Sequence, residues 1–346
     1  MHTDPVDIKR RIRFLTETKV AINPGLCVVF SVVCALFYVL FYVLLMEKIR
    51  YYVAAMRLRT LPLSLAGVSL GLMLAAADYR VSWPVALFTV ITTVCLQILS
   101  NVSNELGDFL NGTDTPDRQG PVYSLSEGCL QKGDFKAMIA VYVIICIASG
   151  LAMIWFSFGT FFAIEPLLLM VLGAAAIIAA MRYTLGRNPY GYRGMGDLYV
   201  FIFFGLVAVL GSYFIATHTM FWRMLLPAAS IGAFSVAVLN VNNIRDMSTD
   251  AGKRVTVPLK IGGRWARVYQ TLLVAAGWIS MLAYSFLRMQ DPWHYLFVLT
   301  LPLYAIHLSG VWKRTGKALD PMLPLLVMST FIFALLGGLG YLVYLF

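Results

Sequence analysis

Residues 137–158 read AMIAVYVIICIASGLAMIWFSF, a run of 22 residues without a charged side chain. An α-helix of about 20 apolar residues crosses the hydrocarbon core of a bilayer. This run therefore predicts a membrane-spanning helix. The same reading gives ten candidate spans along the chain: 26–46, 61–77, 83–101, 137–158, 160–181, 197–217, 222–240, 268–287, 293–309 and 322–346.

The composition of the whole chain agrees with these candidate spans. Of the 346 residues, 60% are hydrophobic and 13% are charged, and only 17 are Asp or Glu. An average soluble domain is about 25% charged. Because most of the chain has no polar surface to face water, we expect an all-α polytopic membrane protein without a separate soluble domain.

Charge and metal-ligand patterns exclude several other classes. The formal net charge is +10, but the basic residues lie in short loops between apolar runs rather than on a basic helix, which argues against nucleic-acid binding. The five cysteines form no CxxC pair and the four histidines form no HExxH motif, which argues against a disulfide framework and a zinc site. His307 lies in an apolar run, and we expect it to be a hydrogen-bonded core residue.

The distribution of Lys and Arg predicts the orientation in the membrane. We number the candidates after 26–46 from one to nine. The loops that follow 26–46 and the even-numbered candidates carry 19 Lys or Arg, whereas the loops that follow the odd-numbered candidates carry 3. Cytoplasmic loops are enriched in these residues. We therefore expect a multi-pass protein of the cell (inner) membrane, with the two long polar loops 102–136 and 241–267 in the cytoplasm.

The N-terminal residues break this charge pattern. Five basic residues precede the span 26–46, and a single crossing would place them outside the cell. One hypothesis is that translation starts at Met46, and that residues 1–45 are an upstream extension or a dispensable helix. A cleaved signal peptide is disfavoured, because the apolar run is long and no small-residue cleavage site closes it.

The first long polar loop opens with an unusual concentration of carboxylates. Residues 101–118 read NVSNELGDFLNGTDTPDR, and four of the 17 acidic residues of the chain fall between Glu105 and Asp117. Asn104 and Asp108 are four residues apart, so they share a face if the preceding helix continues past the membrane surface. Gly112 and a following proline then break the helix, so that the chain can return Asp114 towards that face.

The second long polar loop repeats this pattern 138 residues later. Residues 242–254 read NNIRDMSTDAGKR. Asn242, Asp246 and Asp250 are spaced four residues apart, which on a helix drifts by only about 40° per step. The recurrence of Asn-x-x-x-Asp followed by another Asp, at the ends of two apolar helices on the same side of the membrane, indicates two related halves that face each other.

These oxygen donors suit a magnesium–diphosphate site. Carboxylate and amide oxygens are ligands for Mg²⁺, which typically takes one or two carboxylates and completes its shell with water and phosphate oxygens. Two unpaired carboxylates 4 Å apart repel by about 4 kcal/mol at an effective dielectric constant of 20, so facing acidic stripes need cations between them. The alternative is that the carboxylates of either loop are simply solvated, but the matched positions of the two motifs favour the metal site.

Basic and aromatic residues near the two motifs are candidates for binding a phosphorylated substrate. Arg118 follows the first motif, and Lys253 and Arg254 lie within a turn of Asp250. The third cytoplasmic loop, residues 183–197, reads YTLGRNPYGYRGMGD. It is either a glycine-rich turn with interfacial aromatic residues or a surface that stabilises a cation. The sequence leaves these two interpretations open.

The motifs resemble those of the UbiA-type intramembrane prenyltransferases. Three stretches carry the resemblance: residues 57–62 (RLRTLP), residues 104–121, and residues 186–197. Within this superfamily the chain is most similar to the 1,4-dihydroxy-2-naphthoate polyprenyltransferases of menaquinone biosynthesis. Glu105 stands where the ubiquinone and haem branches usually have Asp, and six positions rather than four separate Asp108 from Asp114, both of which favour the naphthoate branch.

The resemblance implies a fold and a domain organisation. We expect a nine-helix UbiA-type bundle over residues 51–346, preceded by a basic segment and an extra hydrophobic helix in residues 1–50.

The resemblance also implies roles for individual residues. Asn104, Asp108 and Asp114 would bind one Mg²⁺, and a second ion would be bound by Asn242, Asp246 and Asp250. The four aspartates would be the catalytic residues. The substrate-binding residues would be those that assist the diphosphate, Arg118, Lys253 and Arg254, and those near the acceptor, Arg193 and Asp197. Tyr183, in the same loop, is a further candidate for substrate binding.

The implied reaction is transfer of a polyprenyl chain from all-trans-polyprenyl diphosphate to 1,4-dihydroxy-2-naphthoate, with loss of CO2 and diphosphate, giving demethylmenaquinone. The partners are these two substrates and the bilayer, with no nucleic acid. Another acceptor is an alternative within the same chemistry. A secondary transporter is an alternative from another class, but transport predicts ionisable residues at mid-bilayer depth, and the charges here lie near helix ends.

Overall fold

The computed structural model describes residues 48–113, 125, 128–288 and 291–343. The predicted span 26–46 and the hypothetical start at Met46 lie outside these residues, and the division of the chain at residue 50 stays a prediction. In the described part the chain is helical, without a strand, and Arg193 and Val255 form an isolated parallel β-bridge. The all-α expectation is confirmed.

Nine helices of the described residues are long and apolar enough to cross a membrane. They match the nine candidates that follow 26–46. In chain order they are α1 Leu61–Asp78, α2 Trp83–Leu110, α3 Lys132–Phe158, α4 Ile164–Arg182, α5 Gly196–Thr217, α6 Leu225–Arg245, α7 Gly263–Arg288, α8 Pro292–Lys313 and α9 Met322–Leu342.

Helix α2 extends well beyond the predicted end at residue 101 and carries Asn104 and Asp108 of the first motif on its last turns. The polar residues that suggested a loop are compatible with a helix because they find partners inside the protein. The Asn101 amide nitrogen, for example, donates to the Met56 carbonyl at 2.8 Å and to the Thr60 hydroxyl at 2.9 Å. Asn104 and Asp108 therefore share a helical face, as their spacing predicts.

The interior of the bundle is built around α6, the most buried of the membrane-length helices. Aromatic side chains from α6, α8 and α9 meet there, with the rings of Phe234 and Phe333 5.0 Å apart. Helices α5 and α6 approach so closely that a Cβ atom on Gly205 would lie 2.6 Å from the Gly232 Cα. Small residues commonly allow such contacts between membrane helices.

A polar network inside the bundle joins α6, α7, α8 and α9. His307 Nδ1 donates to the Met322 carbonyl at 3.0 Å, so that Nε2 accepts from the Gln270 amide at 3.0 Å. The Gln270 carbonyl in turn accepts from Asn240 at 2.9 Å. The prediction that His307 is a hydrogen-bonded core residue is confirmed.

An ion pair joins α1 and α7 at the end of the bundle opposite to the first motif. Asp78 at the end of α1 pairs with Arg288 at the end of α7. Arg288 also donates to the Tyr284 hydroxyl at 2.6 Å. Because α1 and α2 are consecutive antiparallel helices, this pair lies on the side of the membrane opposite to the first motif.

Candidate active site

Three interhelical segments converge on one side of the membrane. Helices α2, α4 and α6 all end there, and each leads into one of the polar segments singled out in the sequence. The Thr184 hydroxyl, after α4, donates to the side-chain oxygen of Asn104 in α2 at 3.3 Å. The Val255 amide, after α6, donates to the Tyr192 carbonyl at 3.0 Å. The segment after α4 therefore bridges the other two.

The close approach of α2 to this bridging segment depends on Gly107. A Cβ atom at this position would lie 2.8 Å from the carbonyl carbon of Thr184. A real side chain cannot occupy that space, so any larger residue would push α2 away from the segment after α4. Gly107 thereby sets the position of its neighbour Asp108.

We expect Gly107→Ala to destabilise the protein by about 1–3 kcal/mol, the usual range for overpacking, and to lower turnover. The measurement is thermal unfolding of the purified protein, followed by an activity assay. Gly133→Ala is the matched control, because a Cβ atom on Gly133 meets nothing within 4 Å. Equal stability of Gly107→Ala and Gly133→Ala would contradict this packing argument.

Asp108, the central carboxylate of the first motif, is only 3% exposed. One of its oxygens accepts a hydrogen bond from the Tyr192 hydroxyl at 2.7 Å. The same hydroxyl lies 3.1 Å from that of Thr113. Burial and the neighbouring charge of Asp108 raise the pKa of Tyr192. Tyr192 is therefore a protonated donor that orients the Asp108 carboxylate.

Arg254 connects the first motif to the second. Its guanidinium lies 2.7 Å from the Asp250 carboxylate, and both side chains are nearly buried. Burial alone would lower the pKa of Arg254, but the charges of Asp250 and Asp108 outweigh that effect and raise it. The guanidinium therefore pairs with the carboxylate of the second motif and lies in the electrostatic field of Asp108 from the first.

Arg254 lines a small pocket together with Tyr183 and Asp197, two further residues that were predicted to bind substrate. Burial raises the pKa of Tyr183 to about 12, with the Arg254 charge opposing the shift and Asp108 among the carboxylates that reinforce it. Tyr183 is thus a neutral donor at physiological pH. The Asp197 carboxylate accepts from the Tyr269 hydroxyl at 3.1 Å. The pocket therefore offers a cation (Arg254), a neutral hydroxyl donor (Tyr183) and a hydrogen-bond acceptor (Asp197).

Asp246 is fully buried and is paired with its neighbour Arg245. Both Asp246 oxygens accept from this guanidinium, each at 2.7 Å. Arg245 also donates to the side-chain oxygen of Asn242 at 2.8 Å and to Asp320, in the segment between α8 and α9, at 3.0 Å. We refer to Asn242, Arg245, Asp246 and Asp320 as the Arg245 cluster.

Comparison with known proteins identifies the fold and its family. The UbiA prenyltransferase family matches residues 64–322. The 1,4-dihydroxy-2-naphthoate octaprenyltransferase of Escherichia coli (strain K12) is 34% identical over 297 residues, which are 85% of this chain and 96% of that protein. The chain belongs to the UbiA prenyltransferase family.

Two further UbiA-related proteins agree with this assignment. The 1,4-dihydroxy-2-naphthoate octaprenyltransferase of Haemophilus influenzae (strain ATCC 51907 / DSM 11121 / KW20 / Rd) is 34% identical over 305 residues, covering 86% of this chain and 97% of that protein. The apo structure of a UbiA homolog from Aeropyrum pernix K1 matches 83% of this chain and 98% of its own, with a TM-score of 0.62 at 16% identity. The structural match shows a shared fold.

The second motif of this UbiA protein is less regular than the sequence suggested. Helix α6 ends at Arg245, and a separate turn, Met247–Asp250, follows Asp246. The backbone bonds from Asp246 to Asn242 at 3.1 Å and from Asp250 to Asp246 at 2.9 Å nevertheless keep the three predicted ligands in succession. The predicted spacing survives, although the helix is interrupted.

The side chains of three other charged residues near the motifs, Glu105, Arg193 and Lys253, are not seen in the contacts described above. Glu105 points to Arg57, at 3.8 Å, and accepts from the Leu125 amide at 3.3 Å, so this acid of the first motif joins another cluster. The side chains of Arg193 and Lys253 are exposed. The predicted substrate-binding role of these two residues stays a prediction.

Two predicted residues, Asp114 and Arg118, lie outside the described residues. Sequence reasoning overlooked Asp320 and treated Arg245 only as one of the loop cations. It also gave Tyr192 no specific role. The glycine-rich aromatic loop drew attention to Tyr192, whereas no local pattern marked Asp320.

The donor set of this UbiA site fits Mg²⁺. In the described residues no group of three His, Cys, Asp or Glu side chains is placed to hold an ion by itself. Each motif instead offers one or two carboxylates and an amide oxygen, which is what Mg²⁺ takes when water and phosphate oxygens complete its shell. Asp246 and Asp250 are each paired with a guanidinium, which provides the opposite charge that a buried carboxylate requires.

Proposed function

We propose that this protein transfers a polyprenyl chain from all-trans-polyprenyl diphosphate to 1,4-dihydroxy-2-naphthoate, giving demethylmenaquinone in its reduced, hydroquinone form, together with CO2 and diphosphate. Membership of the UbiA prenyltransferase family supports the chemistry. Two relatives at 34% identity are named 1,4-dihydroxy-2-naphthoate octaprenyltransferases, and the matches cover nearly the whole length of each relative. Their names support the naphthoate acceptor. The observation that carries the proposal is that the two motifs meet through one loop. Tyr192 donates to Asp108 at 2.7 Å, and its backbone carbonyl accepts from the Val255 amide at 3.0 Å. Val255 is next to Arg254, which pairs with Asp250 at 2.7 Å.

In this proposal, two Mg²⁺ ions are held at the predicted positions. Asn104, Asp108 and Asp114 would hold one ion, and a second would be held by Asn242, Asp246 and Asp250. When bound, the ions supply Lewis acidity that makes diphosphate a better leaving group. Arg254 contributes a fixed positive charge at the same place and forms hydrogen bonds with diphosphate oxygens.

The protein also has to protect and stabilise an allylic cation. The bond between the first prenyl carbon and the diphosphate oxygen breaks, and the electron pair leaves with the oxygen. Tyr183 lies edge-on to Tyr190, at 5.3 Å between ring centroids, and Tyr190 stacks on Tyr199 at 3.9 Å. The faces of such rings attract cations, and the apolar helices around the site exclude water that would quench the cation.

Attack by the acceptor completes the reaction. The ring carbon that bears the naphthoate carboxylate forms a bond to the allylic carbon, and the bond to the carboxylate then breaks to release CO2. Asp197, held by Tyr269, faces the same pocket as Arg254 and Tyr183. Its carboxylate would accept a hydrogen bond from an acceptor hydroxyl and orient the ring.

The orientation in the membrane follows from the loop charges. We place the protein in the cell (inner) membrane with both Asp-rich segments in the cytoplasm, because the loops on that side carry 19 Lys or Arg against 3 on the other. The water-soluble ends of both substrates would then meet the site from the cytoplasmic side.

Radiolabelled polyprenyl diphosphate tests the proposal directly. We expect the purified protein to transfer the label to 1,4-dihydroxy-2-naphthoate with Mg²⁺ and to lose that activity with EDTA. 4-Hydroxybenzoate, offered in parallel, should accept little label. Transfer that prefers 4-hydroxybenzoate would overturn the acceptor assignment, and absence of metal-dependent transfer to any aromatic acceptor would overturn the enzyme.

A further inference from the structure

In the Arg245 cluster, the Arg245 guanidinium forms hydrogen bonds with the same oxygen atoms that are proposed to bind a metal ion. Arg245 Nε and Nη2 donate to the two Asp246 oxygens, and Nη2 also donates to the Asn242 amide oxygen. Asn242 and Asp246 are two of the three residues proposed to bind the second Mg²⁺. The guanidinium and the ion therefore compete for the same oxygen atoms.

Burial explains why Arg245 holds this position. Asp246 is 0% exposed, and Arg245 is 5% exposed. A buried carboxylate without a cation is strongly unfavourable, so the metal-free protein needs an internal counterion. Arg245 fulfils that need with two parallel charge-assisted bonds, the strongest geometry that an arginine and a carboxylate can form.

Asp320 provides an alternative partner for the same guanidinium. It accepts from Arg245 Nη1 at 3.0 Å, and its side chain is 39% exposed. It comes from the segment between α8 and α9, outside both Asp-rich motifs. Because Nη1 makes no bond to Asp246, Arg245 can release both Asp246 oxygens and keep its bond to Asp320.

We propose that Arg245 is a displaceable internal counterion, which pairs with Asp246 and Asp320 when no divalent ion is bound and keeps only Asp320 when an ion binds. The inference rests on the proposed metal site. Arg245 and Asp320 act as positioning residues, since they set the affinity of Asn242 and Asp246 for the ion. A divalent ion must then break the Arg245–Asp246 ion pair before it binds, and the cost of breaking this pair lowers the affinity of the protein for the ion.

The proposal predicts an unusual sign for the loss of a buried arginine. Arg245→Gln should raise the affinity for Mn²⁺ by about tenfold, which corresponds to about 1.4 kcal/mol, because the competing cation is gone. The same variant should lose thermal stability without metal and regain it with Mn²⁺, since the ion then replaces the missing counterion. A purely structural arginine would lower stability without increasing the affinity.

Asp320→Asn should have the opposite effect on affinity. Without Asp320, the Arg245 guanidinium loses its alternative carboxylate partner and is held more firmly by Asp246. Mn²⁺ should therefore bind about threefold more weakly, which is about 0.7 kcal/mol. In the double variant, Asp320→Asn should have no further effect on affinity, because it acts only through Arg245. The single variant changes a half-exposed residue, so it also tests the proposal if Arg245→Gln fails to fold.

The experiment measures free Mn²⁺ by electron paramagnetic resonance during titration of the purified full-length protein, without diphosphate. Arg288→Gln is the control, because it removes an arginine from a partly buried ion pair at the opposite end of the bundle. Its Mn²⁺ affinity should equal that of the wild type. Unchanged or weaker binding by Arg245→Gln, or unchanged or tighter binding by Asp320→Asn, would overturn the counterion proposal.

Failure of the underlying metal site gives a different result. Asp250→Asn should weaken Mn²⁺ binding even though it leaves the Arg245 cluster intact. If the wild type binds no Mn²⁺ and its prenyl transfer does not need a divalent ion, the metal assignment fails and the counterion proposal fails with it. If the wild type binds Mn²⁺ and loses it with Asp250→Asn, the outcome for Arg245→Gln concerns the counterion alone.

Discussion

Asp108→Asn is expected to lower kcat for prenyl transfer by about three orders of magnitude. The substitution keeps the size of the side chain and removes the charge that is proposed to bind Mg²⁺. Metal stabilisation of a leaving group is worth several kcal/mol, and each 1.4 kcal/mol or so corresponds to a factor of ten in rate. The measurement is single-turnover transfer of labelled prenyl chain at saturating substrate and Mg²⁺.

The control for this prediction is another carboxylate on the same side of the membrane. Asp134, at the start of α3, caps its helix by accepting from the Gln131 amide at 2.9 Å. Asp134→Asn should retain activity within a fewfold of the wild type, although it can lose some stability. Near wild-type turnover by Asp108→Asn would exclude this carboxylate from the reaction.

Arg254→Ala is expected to lower kcat/KM by about a hundredfold, since charge-assisted bonds to the substrate are lost together with the guanidinium. It also leaves Asp250 without its 2.7 Å partner. Breaking such a buried pair costs about 3–5 kcal/mol of stability. Activity and thermal unfolding should therefore be measured on the same preparation.

Two further variants separate binding from stability. Arg254→Lys keeps the charge but not the planar fork, and its kcat/KM should fall between that of the wild type and that of Arg254→Ala. Arg264, at the start of α7, is exposed, and Arg264→Ala should change little. Equal effects of Arg254→Ala and Arg264→Ala would show that Arg254 contributes only to the general positive charge of the loop.

Much of the fold could be predicted because it is determined by hydrophobic length. The nine spans from residue 61 onwards needed only the count of apolar residues. The end of α2 could not be found in this way, because residues 102–110 are polar enough to resemble a loop. They are helical because Asn101, Asn104 and Asp108 find partners inside the protein rather than in water.

The meeting of the two motifs could be predicted, but their detailed contacts could not. Topology places the ends of α2 and α6 on the same side, so Asp108 and Asp250 were expected to lie near each other. The partners of Asp246 were not foreseen, because consecutive residues on a regular helix do not face each other. The break at Asp246 makes its pairing with Arg245 possible, and Asp320 lies 75 residues further along the chain.

The central claim is that both Asp-rich segments form a single metal–diphosphate site. Anomalous diffraction from crystals grown with Mn²⁺ and a thio analogue of geranyl diphosphate tests it most directly. In this analogue sulfur replaces the bridging oxygen, so that the bond between the prenyl carbon and the diphosphate does not break. We predict one Mn²⁺ on the side of Asp108 and one on the side of Asp250, with the diphosphate between them and in contact with Arg254. A diphosphate that lies away from Arg254, or Mn²⁺ bound by only one of the two segments, would contradict the claim.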